Sequence, residues 1–157
     1  MRKIIAFVAI FIFISHAYGE FSVIKLGTDN NNTVLVTGGI QGDEPGGFMS
    51  ANLLARGYEI TSGSLYVAPN LNMPSIIKKS RGVNGDMNRK FDTLSEKDPE
   101  KDVVEKIKAL VLQPNVTMLV NLHDGSGFYR PKYINKMMNP NRWGNIAIID
   151  QATLPNA

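Results

Sequence analysis

The chain has 157 residues, among them 17 basic and 14 acidic side chains and no cysteine. This charge balance is too even for a nucleic-acid-binding surface, and without cysteine the chain can hold neither a disulfide nor a lipid-modified thiol. A chain of this length can instead bury a hydrophobic core large enough to fold.

The first 19 residues have the pattern of a cleavable signal peptide. Two basic residues precede an apolar run over residues 4–14, and a small-x-small cleavage motif ends at Gly19. As a helix this run would extend about 16 Å, roughly half of a bilayer core, so it is too short for a membrane anchor. We therefore expect cleavage, release into the periplasm without a membrane span, and a mature domain over residues 20–157. Cleavage leaves 15 basic and 14 acidic residues, a net charge of +1, and His123 as the sole histidine.

Strand-like and helical patterns alternate along the first half of this domain. β-rich segments predict strands over residues 21–26, 33–40 and 64–68. Pro45 marks the start of a helix, since proline suits the first helical position and apolar residues then recur at helical spacing.

The second half continues the alternation. A helix is predicted from Pro99, with Asp98 as its cap and an apolar face that ends before Pro114. Buried strands are predicted over residues 116–122 and 146–149. The whole pattern indicates an α/β fold with a mixed, mostly parallel twisted sheet flanked by helices.

Polar side chains gather at the predicted carboxyl ends of the strands, the edge where open α/β sheets bind ligands. Gln41 and Glu44 lie in a glycine-rich turn after one strand, Asn70 follows the next, and His123 follows the strand over 116–122. A close pair of ligands and a distant histidine, with a fourth position open, is the pattern of a catalytic zinc site. On spacing alone, a hydrogen-bonded histidine near an ordinary strand-to-helix turn is the commoner alternative.

Four motifs in the same order resemble the zinc carboxypeptidase family over residues 33–130. The third is a run over residues 82–91, Gly-Val-Asn-Gly-Asp-Met-Asn-Arg-Lys-Phe, which resembles the family's Asp-Leu-Asn-Arg-Asn-Phe signature and follows Arg81. The others are the Gln41–Glu44 turn, the Ala68–Asn70 strand end and the strand end at His123.

This resemblance implies a cofactor and a role for each matching residue. Arg81 would stabilise the oxyanion of the reaction. Asn88 and Arg89 would hold the terminal carboxylate of the substrate, which makes such an enzyme an exopeptidase. One zinc ion per chain would be held by Gln41, Glu44 and His123.

Gln41 departs from the histidine that most of the family has. A glutamine, glutamate and histidine set with His-Asp-Gly-Ser-Gly-Phe-Tyr over residues 123–129 resembles the DL-carboxypeptidases that control helical cell shape. That resemblance implies peptidoglycan stem peptides as partners, with the muropeptide tripeptide shortened to a dipeptide by release of meso-diaminopimelate. Asp124 would either orient a metal ligand or receive the amino group of the diaminopimelate side chain.

The family's general-base glutamate and substrate-capping tyrosine lie well beyond the histidine motif. We therefore expect them after Ala157, and we expect this C-terminally incomplete stretch to be inactive alone.

Two other functions stay open. A zinc deacylase of small N-acyl amino acids would share the Gly-x-x-Gly-x-Glu turn, although export and the Asn88-Arg89 pair speak against it. A pseudoenzyme that binds cell-wall peptides without cutting them would explain Gln41 and the missing base.

Overall fold

The structure is a computed structural model that describes residues 21–28, 31–144 and 146–149. The predicted signal peptide over residues 1–19 lies outside them. Four strands form the central sheet: β1 (Ile24–Gly27), β2 (Thr33–Gly38), β3 (Ser64–Ala68) and β4 (Val116–Leu122). Their order is β1-β3-β2-β4, with β2 parallel to both of its neighbours and β1 antiparallel to β3. The predicted mixed, mostly parallel sheet is confirmed.

Helices cover both faces of this sheet. Side chains alternate along a strand, so neighbouring residues of β2 enter two separate apolar clusters. The helices are α1 (Pro45–Gly57), α2 (Met73–Lys78) and α3 (Lys101–Val111), with a 3-10 turn at Met87–Arg89. Leu35 belongs to the cluster that holds Val104 of α3, and Val36 to the cluster that holds Ala51 of α1. None of the helices in the described part of the chain is long and apolar enough to cross a membrane.

The predicted start of α3 is wrong by two residues. The sequence predicts Asp98 as the cap and Pro99 as the first residue, but the helix begins at Lys101. Asp98 instead closes the turn before it, since its carboxylate accepts from Glu100 N–H at 2.8 Å and its carbonyl from Lys101 N–H at 3.0 Å. The same carboxylate lies 2.9 Å from Lys90 Nζ. This tertiary contact explains why Asp98 serves a loop rather than the helix end.

The last two predicted strands also differ from expectation. β4 has the predicted bounds but is not buried, because Leu119 is 45% and Val120 36% exposed. It is an edge strand of the sheet among the described residues, and a cavity of about 600 Å³ opens beside Leu119 and Asn121. The predicted strand over 146–149 is wrong, since these residues pair with no strand in the part described. A short parallel pair follows the sheet instead, formed by β5 (Phe128–Tyr129) and β6 (Met138–Asn139).

Candidate metal centre

Glycines bring two distant segments together at the carboxyl ends of β2 and β4. A Cβ on Gly47 in α1 would lie 2.5 Å from the carbonyl oxygen of Leu122, so only glycine lets the helix approach the end of β4 this closely. A Cβ on Gly42 would lie 2.0 Å from the backbone of α2, which fixes the turn after β2 against that helix. The Gln41–Glu44 turn consequently lies next to His123.

The three side chains predicted as metal ligands meet at one point. His123 Nδ1 lies 2.8 Å from Glu44 Oε2 and 3.1 Å from Gln41 Oε1, across sequence separations of 79 and 82 residues. Gln41 is only 1% exposed, so its amide is held inside the protein. The structure therefore brings the whole predicted ligand set together.

Asp86 fixes the orientation of the Gln41 amide. Gln41 Nε2 and Asn88 N–H donate to Asp86 Oδ1 at 2.8 and 3.0 Å, and Arg81 Nε donates to Oδ2 at 3.0 Å. Partial burial works to raise the pKa of Asp86, but these hydrogen bonds outweigh it and hold the pKa below its ordinary value. An ionised carboxylate only accepts hydrogen bonds, so the amide nitrogen of Gln41 must face it. The amide oxygen is thereby directed toward His123.

The His123 ring is supported on its other side. Its Nε2 contacts Asn121 Nδ2 at 2.9 Å, and the buried Thr37 hydroxyl donates to Asn121 Oδ1 at 2.9 Å. This contact fixes the rotation of the ring, with Nδ1 toward the oxygen atoms of Gln41 and Glu44.

The donor set fits a metal ion such as zinc. It comprises an imidazole nitrogen, a carboxylate oxygen and an amide oxygen, and zinc takes nitrogen and oxygen ligands in proteins. Tetrahedral ligands at ~2.1 Å from a metal lie about 3.4 Å apart, so these atoms need to separate by only about half an ångström. Within residues 21–28, 31–144 and 146–149, no group of three His, Cys, Asp or Glu side chains could hold a metal. A metal site at Glu44 and His123 therefore needs a ligand of another kind, and the amide oxygen of Gln41 lies 3.1 Å from His123 Nδ1.

Arg81 lies beside the ligand set, and Arg89 lies farther out. Arg81 Nη1 donates to Glu44 Oε1 at 3.1 Å, while its side chain is 49% exposed. Partial burial works to lower the pKa of Arg81, but the hydrogen bonds and charges of Asp86 and Glu44 outweigh it and raise the pKa. The Arg89 guanidinium is exposed and donates to the Asn88 carbonyl at 3.4 Å. Asn88 joins the centre through its backbone, and Arg89 stays at the solvent margin.

Asp124 caps a helix. Its Oδ2 accepts from Gly46 N–H in the first turn of α1 at 2.7 Å, and a Cβ on Gly46 would lie 2.0 Å from Asp124 Oδ1. Its backbone N–H donates to Glu44 Oε2 at 3.1 Å. Of the two roles expected for Asp124, these contacts support the orientation of a ligand, through the main chain.

Sequence reasoning missed the residues that support the ligands. Asp86 lies within the 82–91 run, and the need of a buried Gln41 amide for an acceptor is the signal that could have found it. Asn121 lies two residues before His123, and this spacing puts both on one face of the chain if the strand geometry continues.

Residues 3–157 match a family model, peptidase M99, described as the catalytic part of a carboxypeptidase controlling helical cell shape. Solved structures of cell shape determinant protein Csd4 from Helicobacter pylori are also similar. The product-bound form is 45% identical with a TM-score of 0.75, over 80% of this chain and 32% of that one. The tripeptide-bound form is 43% identical with a TM-score of 0.75, over the same shares.

The mDAP-bound form of Csd4, described as a D,L-carboxypeptidase, is 44% identical with a TM-score of 0.72, over 78% of this chain and 31% of that one. The chain thus spans about a third of the length of these relatives. The search of curated proteins found no match. On the family match and these identities, the chain belongs to the M99 peptidases, the carboxypeptidases that control helical cell shape.

Proposed function

We propose that the whole protein is a zinc-dependent carboxypeptidase that removes meso-diaminopimelate from the muropeptide tripeptide and leaves a dipeptide. The observation that carries this proposal is the meeting of Gln41 Oε1 and Glu44 Oε2 at His123 Nδ1 in a chain of this family. The tripeptide-bound and mDAP-bound forms of Csd4 support the substrate class. The predicted signal peptide would deliver such an enzyme to the periplasm, where peptidoglycan lies.

Gln41, Glu44 and His123 would hold one zinc ion per chain. An amide oxygen is as neutral as an imidazole, so exchanging histidine for glutamine leaves the charge of the site unchanged. Amide oxygen is the weaker donor, so we expect looser binding than with two histidines. A zinc ion held there would supply Lewis-acid polarisation of the scissile carbonyl and activation of water.

We assign Arg81 to stabilising the negative charge that develops on the oxygen of the scissile carbonyl. Asp86 anchors its Nε and Glu44 contacts its Nη1, so the guanidinium lies beside the ligand set with N–H groups left for a substrate. A fixed cation in this position stabilises an oxyanion more than the neutral carbonyl before it, and only such a difference accelerates the reaction.

Asn88 and Arg89 are assigned to the terminal carboxylate of the substrate. The planar guanidinium of Arg89 can bind both carboxylate oxygens, and Asn88 can donate from its side-chain amide. The turn that carries them is tied to the centre by the hydrogen bond from Asn88 N–H to Asp86. A grip on the free carboxylate restricts cleavage to the last peptide bond.

The proposal is tested by incubating the whole protein with muropeptide tripeptide while measuring released diaminopimelate and bound metal. We expect about one zinc ion per chain and release of the amino acid, and we expect Glu44→Ala and His123→Ala to lose both. Full activity in an intact protein stripped of metal would overturn the metal role. A zinc-loaded protein that binds the tripeptide and releases nothing would be the peptide-binding pseudoenzyme.

A further inference from the structure

A buried cation follows the 3-10 turn Met87–Arg89. Lys90 is 9% exposed, although lysine is almost never buried without a partner. Its Nζ lies 2.8 Å from the Asn84 carbonyl oxygen, 2.9 Å from the Asp98 carboxylate and 2.9 Å from Glu100 Oε2. The ammonium group thus donates two hydrogen bonds, to Asn84 and Asp98, while Glu100 Oε2 faces it as an ion-pair partner without hydrogen-bond geometry. The Lys90 side chain thereby connects the loop at Asn84 to the residues that directly precede α3.

The same network continues toward the metal centre. Glu100 is 4% exposed, and its Oε1 accepts from Asn72 Nδ2 at 3.2 Å. Asn72 N–H in turn donates to the Gly39 carbonyl at 2.9 Å, just before the turn that holds Gln41. This connection reaches the main chain of that strand end rather than a side chain of the predicted ligand set.

The turn is held at both of its ends. On one side Asp86 accepts from Asn88 N–H, and in the middle Met87 is buried in the core. On the other side Lys90 provides the anchor. The Asp86 carboxylate also contacts Gln41, whereas the Lys90 ammonium contacts none of the three predicted metal ligands among its described partners. A change at Lys90 can therefore disturb the turn and spare the ligand set.

We propose that Lys90 is a positioning residue for substrate binding, which holds Asn88 and Arg89 in the orientation that receives the terminal carboxylate. This inference rests on the role that the proposed function assigns to those two residues. Without the anchor, binding of the substrate would have to order the turn and its long side chain. Ordering one such side chain weakens binding by up to about tenfold.

Lys90→Met in the whole protein tests this inference, because methionine keeps much of the side-chain length and removes the charge. The substrates are a stem peptide with a free terminal carboxylate and the same peptide with a C-terminal amide. We expect KM for the free acid to rise by up to about tenfold, with kcat within about twofold and bound metal unchanged. The preference for the free acid over the amide should fall by the same factor. Lys101→Met is the matched control, since Lys101 pairs with exposed glutamates at the same helix start and should leave KM unchanged.

Glu100→Gln serves as the second variant if Lys90→Met does not fold. It removes the charge that faces Lys90 and keeps an acceptor for Asn72, so KM should rise in the same direction by a smaller factor. A folded, metal-loaded variant with the parental KM and the parental preference for the free acid would overturn the role of Lys90. If the parent itself cuts the amide as fast as the free acid, the carboxylate grip is overturned first, and this proposal falls with it.

Discussion

The side-chain amide nitrogen of Gln41 donates to the Asp86 carboxylate at 2.8 Å. The two ends of an amide have nearly the same shape, but only the oxygen can bind a cation. Asp86 accepts from the nitrogen and so decides which end faces His123. Metal affinity in this site should therefore depend on a residue that is not itself a ligand.

Asp86→Ala should weaken zinc binding by about 10–100-fold, because the Gln41 amide would lose the contact that orients it. Competition with a chelator of known affinity measures the change. Asp92→Ala is the matched control, since it removes an exposed carboxylate from the same loop as Asp86 and should leave the affinity nearly unchanged. Equal losses in both variants would assign the effect to overall charge rather than to amide orientation.

Gln41→His should retain or tighten zinc binding, because imidazole is a stronger donor than an amide oxygen. Gln41→Ala should weaken it by several fold or more, as one of three protein ligands is lost. The same chelator competition follows both variants. Unchanged affinity in Gln41→Ala would show that the third ligand lies elsewhere, with Asp43 as the first residue to test.

The two arginines should affect different kinetic constants. Arg81→Ala should mainly lower kcat, by about a hundredfold or more, since loss of an oxyanion donor costs roughly 2–4 kcal/mol. Arg89→Ala should mainly raise KM, because a terminal carboxylate is bound alike in the ground state and the transition state. Steady-state kinetics on the tripeptide separate the two effects. A fall in kcat alone for Arg89→Ala would contradict the carboxylate grip.

The Lys90–Asp98 pair predicts how stability depends on pH. Partial burial works to raise the pKa of Asp98, but the hydrogen bonds from Lys90 and Glu100 N–H, with the charge of Lys90, hold it below its ordinary value. Such a group stabilises the folded state above its ordinary pKa, and the contribution is lost as the pH falls through the folded-state pKa. Burial works to lower the pKa of Lys90, but its contacts with the Asp98 and Glu100 carboxylates raise it, so its contribution is complete below pH ~10.4 and is lost as the pH rises through the folded-state pKa.

Asp98→Asn should therefore lower the free energy of unfolding by about 1–2 kcal/mol between about pH 5 and about pH 9. The difference between parent and variant should shrink as the pH falls below the ordinary pKa of aspartate, about 3.9, toward the lower folded-state pKa of Asp98. Denaturant unfolding of both proteins across this range measures it. Glu96→Gln, at an exposed ion pair, should show no comparable effect. A difference that stays constant from neutral to acid pH would refute the ionic contribution.

Local sequence patterns predict where the strands lie better than they predict which elements pair with them or pack against them. The strands over 64–68 and 116–122 form at the predicted bounds, because short runs rich in apolar residues between turns mark buried strands. Similar composition over 146–149 gives no strand, because a strand also needs a partner to pair with. The exposure of β4 is unpredictable for the same reason, since composition does not say which elements cover a face.

The candidate ligands follow from local motifs, whereas their supports depend on tertiary contacts. Gln41 and Asp86 are 45 residues apart, so no local spacing relates them. Lys90 gives no signal at all in the sequence, because a lysine in a polar loop is ordinarily solvated. Only the fold shows that its charge lies among the carboxylates at the start of α3.

The close approach of Gly47 to the Leu122 carbonyl sets the distance between helix α1 and the end of strand β4. Glu44 immediately precedes this helix and His123 immediately follows this strand. The direct packing of the two backbones therefore determines how far apart these two predicted ligands lie. Calcium needs longer bonds and six to eight oxygen ligands, so we expect this close approach to favour a smaller ion.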